Sequence, residues 1–319
     1  MLYPQYGLAN RLRAIASAKI LADFTGRKLY VNWIPNSQCN IEWEDLFINR
    51  LAHYPSQLSA FIEGVNLYDD YKKVNEFYWD IPQSLISNTS DVIAVSACCN
   101  FQPREMALET YTALKSLFYR SLQPIDIIQR SVSDVHKRYF ERHEVVGVHI
   151  RRAEHLHRKK QDPRLVSPTT FFIEAMEKVL RDNPDTRFFL STDDKKEEKT
   201  IRQLFKMAVI VHEKEKVSRY TKKGMQDALI DWLLLSRTSK IIRSSTSSFS
   251  EEAAVVNMIK HESILREEEL SRIHYKTWVK VQVKSHYRVL KEEGVRNYLF
   301  YSYNYRKGQA LSWIRKKLL

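Results

Sequence analysis

The chain has 319 residues, of which 44% are hydrophobic and 28% charged, a balance that excludes an intrinsically disordered protein and suffices for buried cores. Its length suggests two domains of ordinary size or one large domain. The net charge of +13 makes anionic ligands, anionic membranes and nucleic acids the partner classes to consider.

Three cysteines, Cys39, Cys98 and Cys99, are too few and too unevenly placed for a disulfide framework. Cys98 and Cys99 lie in an apolar run and are predicted to be small buried residues. The sequence has no run of about 18 apolar residues, which is the length that a membrane-spanning helix needs. The residues after Met1 lack the pattern of a signal peptide. We therefore expect a reducing, cytoplasmic location.

The N-terminal residues predict a βαβ unit. Residues 2–6 have the pattern of a strand, a turn follows at Gly7, and apolar residues at helical spacing predict a helix that ends near Phe24. Gly26 stands where a left-handed residue often closes a helix, and residues 29–33 predict the next strand.

Residues 34–91 are irregular and rich in tryptophan and tyrosine. These rings, together with Trp33, suit either of two roles, stacking on the faces of an acceptor sugar or filling a core. Beyond them, a strand is predicted at residues 92–97 and helices at residues 105–120 and 125–139.

The second half alternates apolar strands with amphipathic helices. Strands are predicted at residues 144–150, 187–191, 208–212 and 240–244, and helices at 168–181, 195–206, 225–235 and from Ser248 onward. Ser167 is predicted to cap the first of these helices, with Pro168 as its first residue. The alternation indicates a parallel sheet with helices on both faces. Such sheets bind ligands beyond the carboxyl ends of their strands, here residues 151–152, 192–194 and 245–248.

Two arginines, Arg151 and Arg152, follow the strand at residues 144–150. A guanidinium stays charged at any working pH and binds phosphate oxygens in a bidentate way. A nucleoside diphosphate leaving group needs such a partner because negative charge builds on it as the bond to the sugar breaks. The alternative is that one arginine pairs with a nearby carboxylate while the other is solvated.

Two further segments suit a nucleotide. The serine-rich run at residues 243–251 joins the last strand to a helix, so its hydroxyls and free amides are an anion site or an ordinary capped loop. Asp231 lies in an apolar helix, where the two adjacent donors of guanine would satisfy its carboxylate. The alternative is that Asp231 belongs to a polar helix face with Asp227.

Adjacent aspartates, Asp193 and Asp194, suggest a metal site at first inspection. Their side chains diverge and two lysines follow them, so a capping role at the start of the next helix is the better prediction. The sequence also lacks the cysteine and histidine spacing of a metal site, and we expect no metal cofactor.

Four motifs occur in order between residue 2 and about residue 255: YGLANRLRA at 6–14, HIRR at 149–152, FFLSTDD at 188–194 and DWLLLSRTSKIIRSSTSS at 231–248. Together they resemble the GDP-fucose-dependent fucosyltransferase superfamily, which includes α1,2-, core α1,6-, protein-O- and rhizobial chitin-oligosaccharide fucosyltransferases. The resemblance implies an α/β protein with the GT-B fold, two Rossmann-like lobes facing a cleft. The acceptor side would be residues 1–140 and the donor side residues 141–265, followed by a basic C-terminal extension at residues 266–319.

The resemblance also implies roles for residues of the second lobe. His149 and Asp231 would recognise guanine. Arg151 and Ser247 would bind the β-phosphate, and Arg152 would support that site.

The remaining implied roles lie at the cleft. Asn10, in the first loop of the N-terminal lobe, would approach the pyrophosphate and the sugar. Thr246, Ser248 and Asp194 would complete the donor site. The resemblance further implies inversion at the anomeric carbon and no metal requirement.

The general base is predicted from the residues after the two arginines. Related enzymes often have Thr-Asp there, whereas this chain has Ala153 and Glu154, and it has Lys159 where core-fucosylating relatives place an acidic base. An inverting transfer needs a carboxylate or imidazole within reach of the acceptor hydroxyl, or a sugar reactive enough without one. Glu154 is our first candidate and His155 our second.

The sequence therefore predicts an inverting, metal-independent transfer of fucose from GDP-fucose to a hydroxyl of a glycan or glycolipid acceptor. One alternative is the same fold with another nucleotide sugar, since no residue is recognised that reads the missing 6-hydroxyl of fucose. Another is a non-catalytic phosphate- or nucleic-acid-binding protein. The chain has no RNA-binding signature, so nucleic acid is not an expected partner.

The C-terminal tail, residues 270–319, holds most of the excess positive charge. Twelve basic residues stand there against two acidic ones, a net charge of +10, with nine aromatic residues among them. Basic residues attract anionic lipid headgroups, and Trp and Tyr favour the interfacial layer. We predict a peripheral contact between this tail and an anionic membrane, and the alternative is a tail that packs across both lobes.

Overall fold

The computed structural model describes residues 1–53, 94–103, 105–152, 167–214, 217–245 and 247–264, and the backbone of two short strands, Leu67–Tyr68 and Trp79–Ile81. Three residues with predicted roles, Glu154, His155 and Thr246, lie outside these ranges, as does the basic tail. Within the ranges given, none of the helices combines the length and the apolar character that a membrane crossing requires.

The first part of the chain contains short parallel strands. They are β1 (Leu2–Pro4), β2 (Leu67–Tyr68), β3 (Trp79–Ile81), β4 (Ala94–Ala97) and β5 (Phe101–Pro103). Three of them form a sheet in the order β1-β4-β2, and β3 pairs with β5. The helices of this part are α1 (Leu8–Phe24), α2 (Leu108–Ser121) and α3 (Asp126–Val135), and a π-helical turn at His136–Phe140 follows α3.

Helix α1 ends as predicted. Gly26 has a φ of 66°, in the left-handed region. The Gly26 amide donates to the carbonyl of Asp23 at 3.3 Å. The next amide, that of Arg27, donates to the carbonyl of Ala22 at 2.7 Å. These two bonds form the Schellman arrangement, which satisfies carbonyls that the helix itself leaves unpaired.

The strand predicted at residues 29–33 is wrong in length. Only one parallel bridge joins this segment to β1, between Val31 and Leu2. Two aromatic residues of this region that the structure describes fill a core, as one of the two interpretations held, while the tryptophan and tyrosine side chains of residues 54–91 lie outside the described residues. Trp33 and Trp43 are both buried, and their rings meet edge to face with centroids 5.4 Å apart.

The second half forms a parallel sheet, as predicted, with five strands where four were predicted. Its strands are β6 (Val145–Ile150), β7 (Arg187–Thr192), β8 (Val209–Ile210), β9 (Lys240–Arg243) and β10 (Lys260–Ser263), of which β10 was not predicted. The order β10-β9-β6-β7-β8 makes β6 the central strand. The helices of this half are α4 (Thr169–Asp182), α5 (Lys195–Phe205), α6 (Lys222–Leu235) and α7 (Ser248–Val256).

Helix α4 begins one residue later than predicted. Pro168 is its N-cap, and Thr169 is its first residue. The predicted cap, Ser167, is buried, and its hydroxyl accepts a hydrogen bond from the amide of Ser245 at 3.1 Å. Ser167 therefore anchors the serine-rich loop after β9 and does not cap the helix.

The residues of β6 alternate between the two faces of the sheet. Val146, Val148 and Ile150 lie in a core with residues of α4 and α5. A larger core, on the other face, joins residues of α1, α3, α6 and α7. The central strand is therefore covered on both sides, which explains its almost continuous apolar sequence.

Gly147 allows α6 to approach β6 closely. A Cβ at this position would lie 2.9 Å from Thr238 Oγ1 and 3.0 Å from Leu235 Cδ2. Leu235 lies one helical turn after Asp231 on α6, so the close approach also brings Asp231 towards the carboxyl end of the sheet.

Candidate functional site

His149 is the penultimate residue of β6 and is buried. Its Nδ1 lies 2.9 Å from Ser250 Oγ and 3.3 Å from Ser247 Oγ, and its ring packs against Phe249 with centroids 5.1 Å apart. Burial, and after it the positive charge of Arg151, lowers the pKa of His149 to about 3. The imidazole is therefore neutral near pH 7.

The two arginines after β6 have different surroundings. Arg152 is buried, and its guanidinium donates to Glu197 Oε1 at 2.8 Å and to Thr169 Oγ1 at 3.1 Å. It therefore ties β6 to α4 and α5, as the carboxylate-pairing alternative supposed for one of the two. Arg151 is half-buried, and its backbone N–H donates to Ser244 Oγ at 3.0 Å. Of the two side chains, that of Arg151 lies closer to solvent.

The N-terminus of α7 lies beside His149. Ser247 is the N-cap residue of this helix and is fully buried. Ser248 follows it, and its hydroxyl donates to Asn10 Oδ1 at 2.8 Å. Asn10 lies in the first turn of α1. Two residues predicted for opposite lobes are thus in direct contact.

The turn before Asn10 is held by a buried arginine. Tyr6 has a φ of 65°, which is uncommon for a residue other than glycine. Arg11 Nε donates to the carbonyl of Tyr6 at 2.8 Å, and Arg11 Nη1 donates to the carbonyl of Ile34 at 2.8 Å. The turn that the sequence predicts at Gly7 is therefore centred on Tyr6, and Arg11 fixes the start of the helix that carries Asn10.

Asp231 is buried, and both of its carboxylate oxygens are engaged. Oδ2 accepts hydrogen bonds from Ser191 Oγ at 2.8 Å and Lys214 Nζ at 2.5 Å. Oδ1 lies 3.3 Å from His212 Nδ1. Burial alone would raise the pKa of Asp231, but Lys214 and His212 outweigh burial, so the pKa lies below its ordinary value and the carboxylate is charged.

Asp227 lies one turn before Asp231 and is also buried. Its Oδ1 accepts a hydrogen bond from Lys223 Nζ at 2.7 Å, while its Oδ2 has no hydrogen-bond partner in the part of the chain that the structure describes. His212 Nε2 lies 3.9 Å from Asp227 Oδ1. The polar helix face proposed as the alternative for Asp231 exists, but it is buried against the sheet.

Sequence reasoning missed three residues of this site, namely Ser250, His212 and Lys214. His212 and Lys214 follow β8, so they lie at the same edge of the sheet as the predicted residues. The rule that ligands bind beyond strand ends was applied to three strands and would have found Lys214 at the fourth. Ser250 was inside a quoted run but was given no role.

Asp194 caps α5, as predicted. Its Oδ1 accepts hydrogen bonds from the amides of Lys196 at 2.7 Å and Glu197 at 3.3 Å. The neighbouring Asp193 accepts from the amide of Arg152 at 2.6 Å. Both carboxylates therefore bind backbone amides, and a contact between Asp194 and a donor stays a prediction. Among the described residues, no three His, Cys, Asp or Glu side chains cluster as metal ligands do.

No protein-family model and no curated protein matches this chain. Solved structures do match. A NodZ α-1,6-fucosyltransferase soaked with GDP-fucose has 18% identity and a TM-score of 0.53 over 80% of this chain and 91% of its own. A NodZ structure from Bradyrhizobium has 18% identity and a TM-score of 0.54 over 79% of this chain and 90% of its own.

Two other fucosyltransferases also match. A mutant of FUT1 from Arabidopsis thaliana, in complex with GDP, has 14% identity and a TM-score of 0.52 over 82% of this chain and 68% of its own. POFUT1 in complex with GDP has 12% identity and a TM-score of 0.53 over 82% and 97%. At these identities the similarity establishes the fold. The chain has the α/β GT-B fold of the fucosyltransferases, which confirms the fold implied by the four motifs.

Proposed function

We propose that this protein is an inverting glycosyltransferase that transfers fucose from GDP-fucose to a hydroxyl of a glycan or glycolipid acceptor. The observation that carries the proposal is the contact between Asn10 and Ser248, close to His149, at the carboxyl edge of the second sheet. The NodZ structure was soaked with GDP-fucose, and the FUT1 and POFUT1 structures are complexes with GDP. The choice of GDP-fucose as donor rests on this likeness and on the four motifs.

Arg151 and the first amides of α7 are the proposed phosphate-binding groups. The N-terminal amides of a helix carry the positive end of its dipole and bind phosphate readily. The hydrogen bond from the Arg151 amide to Ser244 ties this arginine to the loop that leads into α7. Such a cluster stabilises the charge that develops on a departing diphosphate. It can take over the role that Mg²⁺ has elsewhere, so we propose metal-independent transfer.

Asp231 and Lys214 are an adjacent acceptor and donor, which suits guanine. Guanine presents the O6 acceptor beside the N1–H and N2–H donors, whereas adenine presents an amino donor beside the N1 acceptor. We propose that Asp231 accepts from N1–H and N2–H while Lys214 donates to O6. The neutral ring of His149 would complete the base site.

The hydrogen bonds of Asp231 indicate how the base would enter. A carboxylate offers about four lone-pair sites, and three donors already use the carboxylate of Asp231. One donor must therefore leave before both guanine donors can bind. Lys214 is the donor that gains a new partner by doing so, because O6 lies next to N1–H.

Two parts of the proposal concern residues that the structure does not describe. Glu154 is our proposed general base and His155 the second choice. The C-terminal tail, residues 270–319, is our proposed contact with an anionic membrane. Co-sedimentation with anionic and neutral vesicles, with and without residues 270–319, tests the membrane contact, and binding to anionic vesicles should weaken with salt.

A donor screen tests the proposed activity. Purified protein is incubated with GDP-fucose, GDP-mannose, UDP-glucose and UDP-galactose, and the released nucleoside diphosphate is measured. The preferred donor is then offered with an array of acceptor glycans. We expect preferential turnover of GDP-fucose, and the Arg151→Ala variant serves as the inactive control.

Each other outcome contradicts a stated part of the proposal. Turnover of a different nucleotide sugar alone would overturn fucose as the donor sugar and retain the transferase. Absence of turnover with every donor, combined with thermal stabilisation by polyanions in general and not by GDP, would favour a phosphate- or nucleic-acid-binding protein.

A further inference from the structure

A buried ion pair joins α2 to α7. Lys115 and Glu252 have 3% and 2% of their side chains exposed, and Lys115 Nζ lies 2.6 Å from Glu252 Oε2. Tyr119 donates its hydroxyl to the same oxygen at 2.7 Å, and Asn100 Nδ2 donates to Glu252 Oε1 at 3.2 Å. Lys115 also donates to Asn100 Oδ1 at 2.6 Å. Both oxygens of the carboxylate are therefore hydrogen-bonded.

The same network extends to α1. The Tyr111 hydroxyl donates to Asn100 Oδ1 at 3.3 Å and lies 2.7 Å from the hydroxyl of Ser17 in α1. Ser17 Oγ also accepts a hydrogen bond from the amide of Phe101 at 3.2 Å. Three helices that are distant in sequence, α1, α2 and α7, thus meet in one set of buried hydrogen bonds.

Stability alone does not explain this ion pair. Burial would raise the pKa of Glu252, but Lys115 and Arg13 outweigh burial and hold the pKa below its ordinary value, so the carboxylate is charged. Removal of two charges from water costs free energy that their attraction repays only in part. Apolar residues of similar size in place of a buried ion pair often leave the stability of the folded protein equal or higher. Hydrogen bonds are directional, so an ion pair with several of them fixes the relative position of the helices that carry it. An apolar contact of similar size does not fix that position as closely.

The network lies behind the candidate site on the same two helices. Glu252 follows Ser248 by four residues, which places both on one face of α7. Ser17 follows Asn10 by seven residues, which places both on one face of α1. The Asn10–Ser248 bond and the buried network are therefore two neighbouring contacts that connect α1 with α7.

We propose that the Lys115–Glu252 pair is a positioning device that holds the N-terminus of α7 against α1. It sets the distance between Asn10 and the proposed phosphate-binding amides, so that both reach the donor together. Neither Lys115 nor Glu252 belongs to the proposed donor site. This inference rests on the proposed function, because it assigns the network to the same donor site.

The test separates position from stability. The triple variant Lys115→Met, Glu252→Leu and Tyr119→Phe removes the ion pair without leaving a buried charge. We expect its melting temperature to equal or exceed that of the parent. We expect GDP affinity within about threefold of the parent and kcat for transfer at least about tenfold lower, because the groups bind but are misaligned.

A matched control removes an ion pair from the surface of α1. Lys19 and Asp23 pair at 2.6 Å with 48% and 62% of their side chains exposed. The double variant Lys19→Gln and Asp23→Asn should leave both kcat and melting temperature unchanged. A loss of kcat in this control equal to that in the triple variant would overturn the positioning role.

The decisive adverse result is a stable triple variant with kcat within about threefold of the parent. Where the triple variant does not fold, Tyr119→Phe alone decides, because it removes one bond to Glu252 and retains the packing of the ring. A lowered kcat at unchanged GDP affinity supports the role, and an unchanged kcat overturns it. A parent protein that neither binds GDP nor turns over a donor refutes the proposed function, which is a different result.

Discussion

Two buried carboxylates, Asp231 and Glu252, have the same electrostatic character in two different places. Each pairs with a lysine, Lys214 or Lys115, whose side chain is less than a tenth exposed. In each case the lysine holds the pKa of the carboxyl below its ordinary value despite the burial of the carboxyl. The partners of Asp231 come from β7 and the segment after β8, at the carboxyl edge of a parallel sheet. Those of Glu252 come from α2 and the segment before β5.

The difference shows that a buried ion pair with a shifted pKa does not by itself mark a ligand site. Such shifts are frequent at functional sites, but structural ion pairs produce them too. Position relative to the sheet is what separates the two clusters here. Beyond the strand ends a ligand can reach the carboxylate, whereas between packed helices the carboxylate can only hold other elements in place.

The largest expected effect is the loss of transfer when Arg151, at the carboxyl edge of the second sheet, is replaced. Arg151→Lys and Arg151→Ala should both abolish transfer with little change in melting temperature, because lysine keeps the charge but not the bidentate fork. Steady-state kinetics measure the effect, with Arg202→Lys on the exposed face of α5 as the arginine control. Retention of more than a tenth of kcat/KM, a loss below about 1.4 kcal/mol, would contradict a phosphate contact.

The two lysines provide the direct test of the comparison. Lys115→Met leaves the buried carboxylate of Glu252 without its ion-pair partner, and we expect the free energy of unfolding to fall by about 3–5 kcal/mol. Lys214→Met should cost less, because Asp231 lies at the edge of the sheet, where water can replace the lysine, whereas Glu252 lies between packed helices. In return, Lys214→Met should reduce the preference for GDP over ADP.

Urea unfolding and calorimetric titration with both nucleotides measure these two quantities. The distinction between the two lysines would be wrong if Lys115→Met changed the preference for GDP over ADP and left the free energy of unfolding unchanged. It would also fail if Lys214→Met changed stability alone.

His149 predicts how stability depends on pH. Its folded pKa of about 3 lies below the ordinary 6.5, so between these values the unfolded chain binds a proton that the folded protein does not. The contribution of His149 to stability therefore falls as the pH is lowered through this range, by about 2 kcal/mol from pH 6.5 to pH 5. Urea unfolding at both pH values should show a smaller difference for His149→Gln. An equal difference in the parent and the variant would mean that the pKa of His149 is the same in the folded and the unfolded protein.

Asp231→Asn should weaken the binding of GDP, an effect smaller in free energy than those expected above. An amide can no longer accept from both guanine donors, so GDP affinity should fall about tenfold, or 1.4 kcal/mol, and the preference for guanine should relax. Glu252→Gln is the matched variant, and it should leave the preference for guanine unchanged. Calorimetry decides, and an unchanged GDP affinity in Asp231→Asn would make Asp231 a structural residue like Glu252.

The sequence predicted the second sheet better than the first because its strands are longer and more apolar. The strand β6 was found nearly to the residue, whereas residues 29–33, with Asn32 and Trp33 among them, pair with β1 at a single bridge. Local pattern also found Gly26 and Asp194, whose roles depend on neighbours in the chain. Sequence pattern could have placed Lys214 at the edge of the sheet, as a residue after a strand, but it has no signal for the pairing of Lys214 with Asp231 or of Lys115 with Glu252, because these pairs form only after folding. The different surroundings of Arg151 and Arg152 likewise appear only after folding, because Glu197, which accepts a hydrogen bond from Arg152, lies on α5.

Two further carboxylates, Asp193 and Asp194, complete the comparison, and here the smallest effect is expected. Both bind backbone amides, those of Arg152, Lys196 and Glu197, so their charges serve a loop and a helix terminus. A divalent ion at this place would have to bind carboxylates whose Oδ1 atoms already accept from those amides. We therefore expect the rate of transfer to be the same in excess EDTA as in added Mg²⁺ or Mn²⁺. Loss of activity on chelation that Mn²⁺ restores would assign these aspartates to a metal and leave α5 in need of another cap.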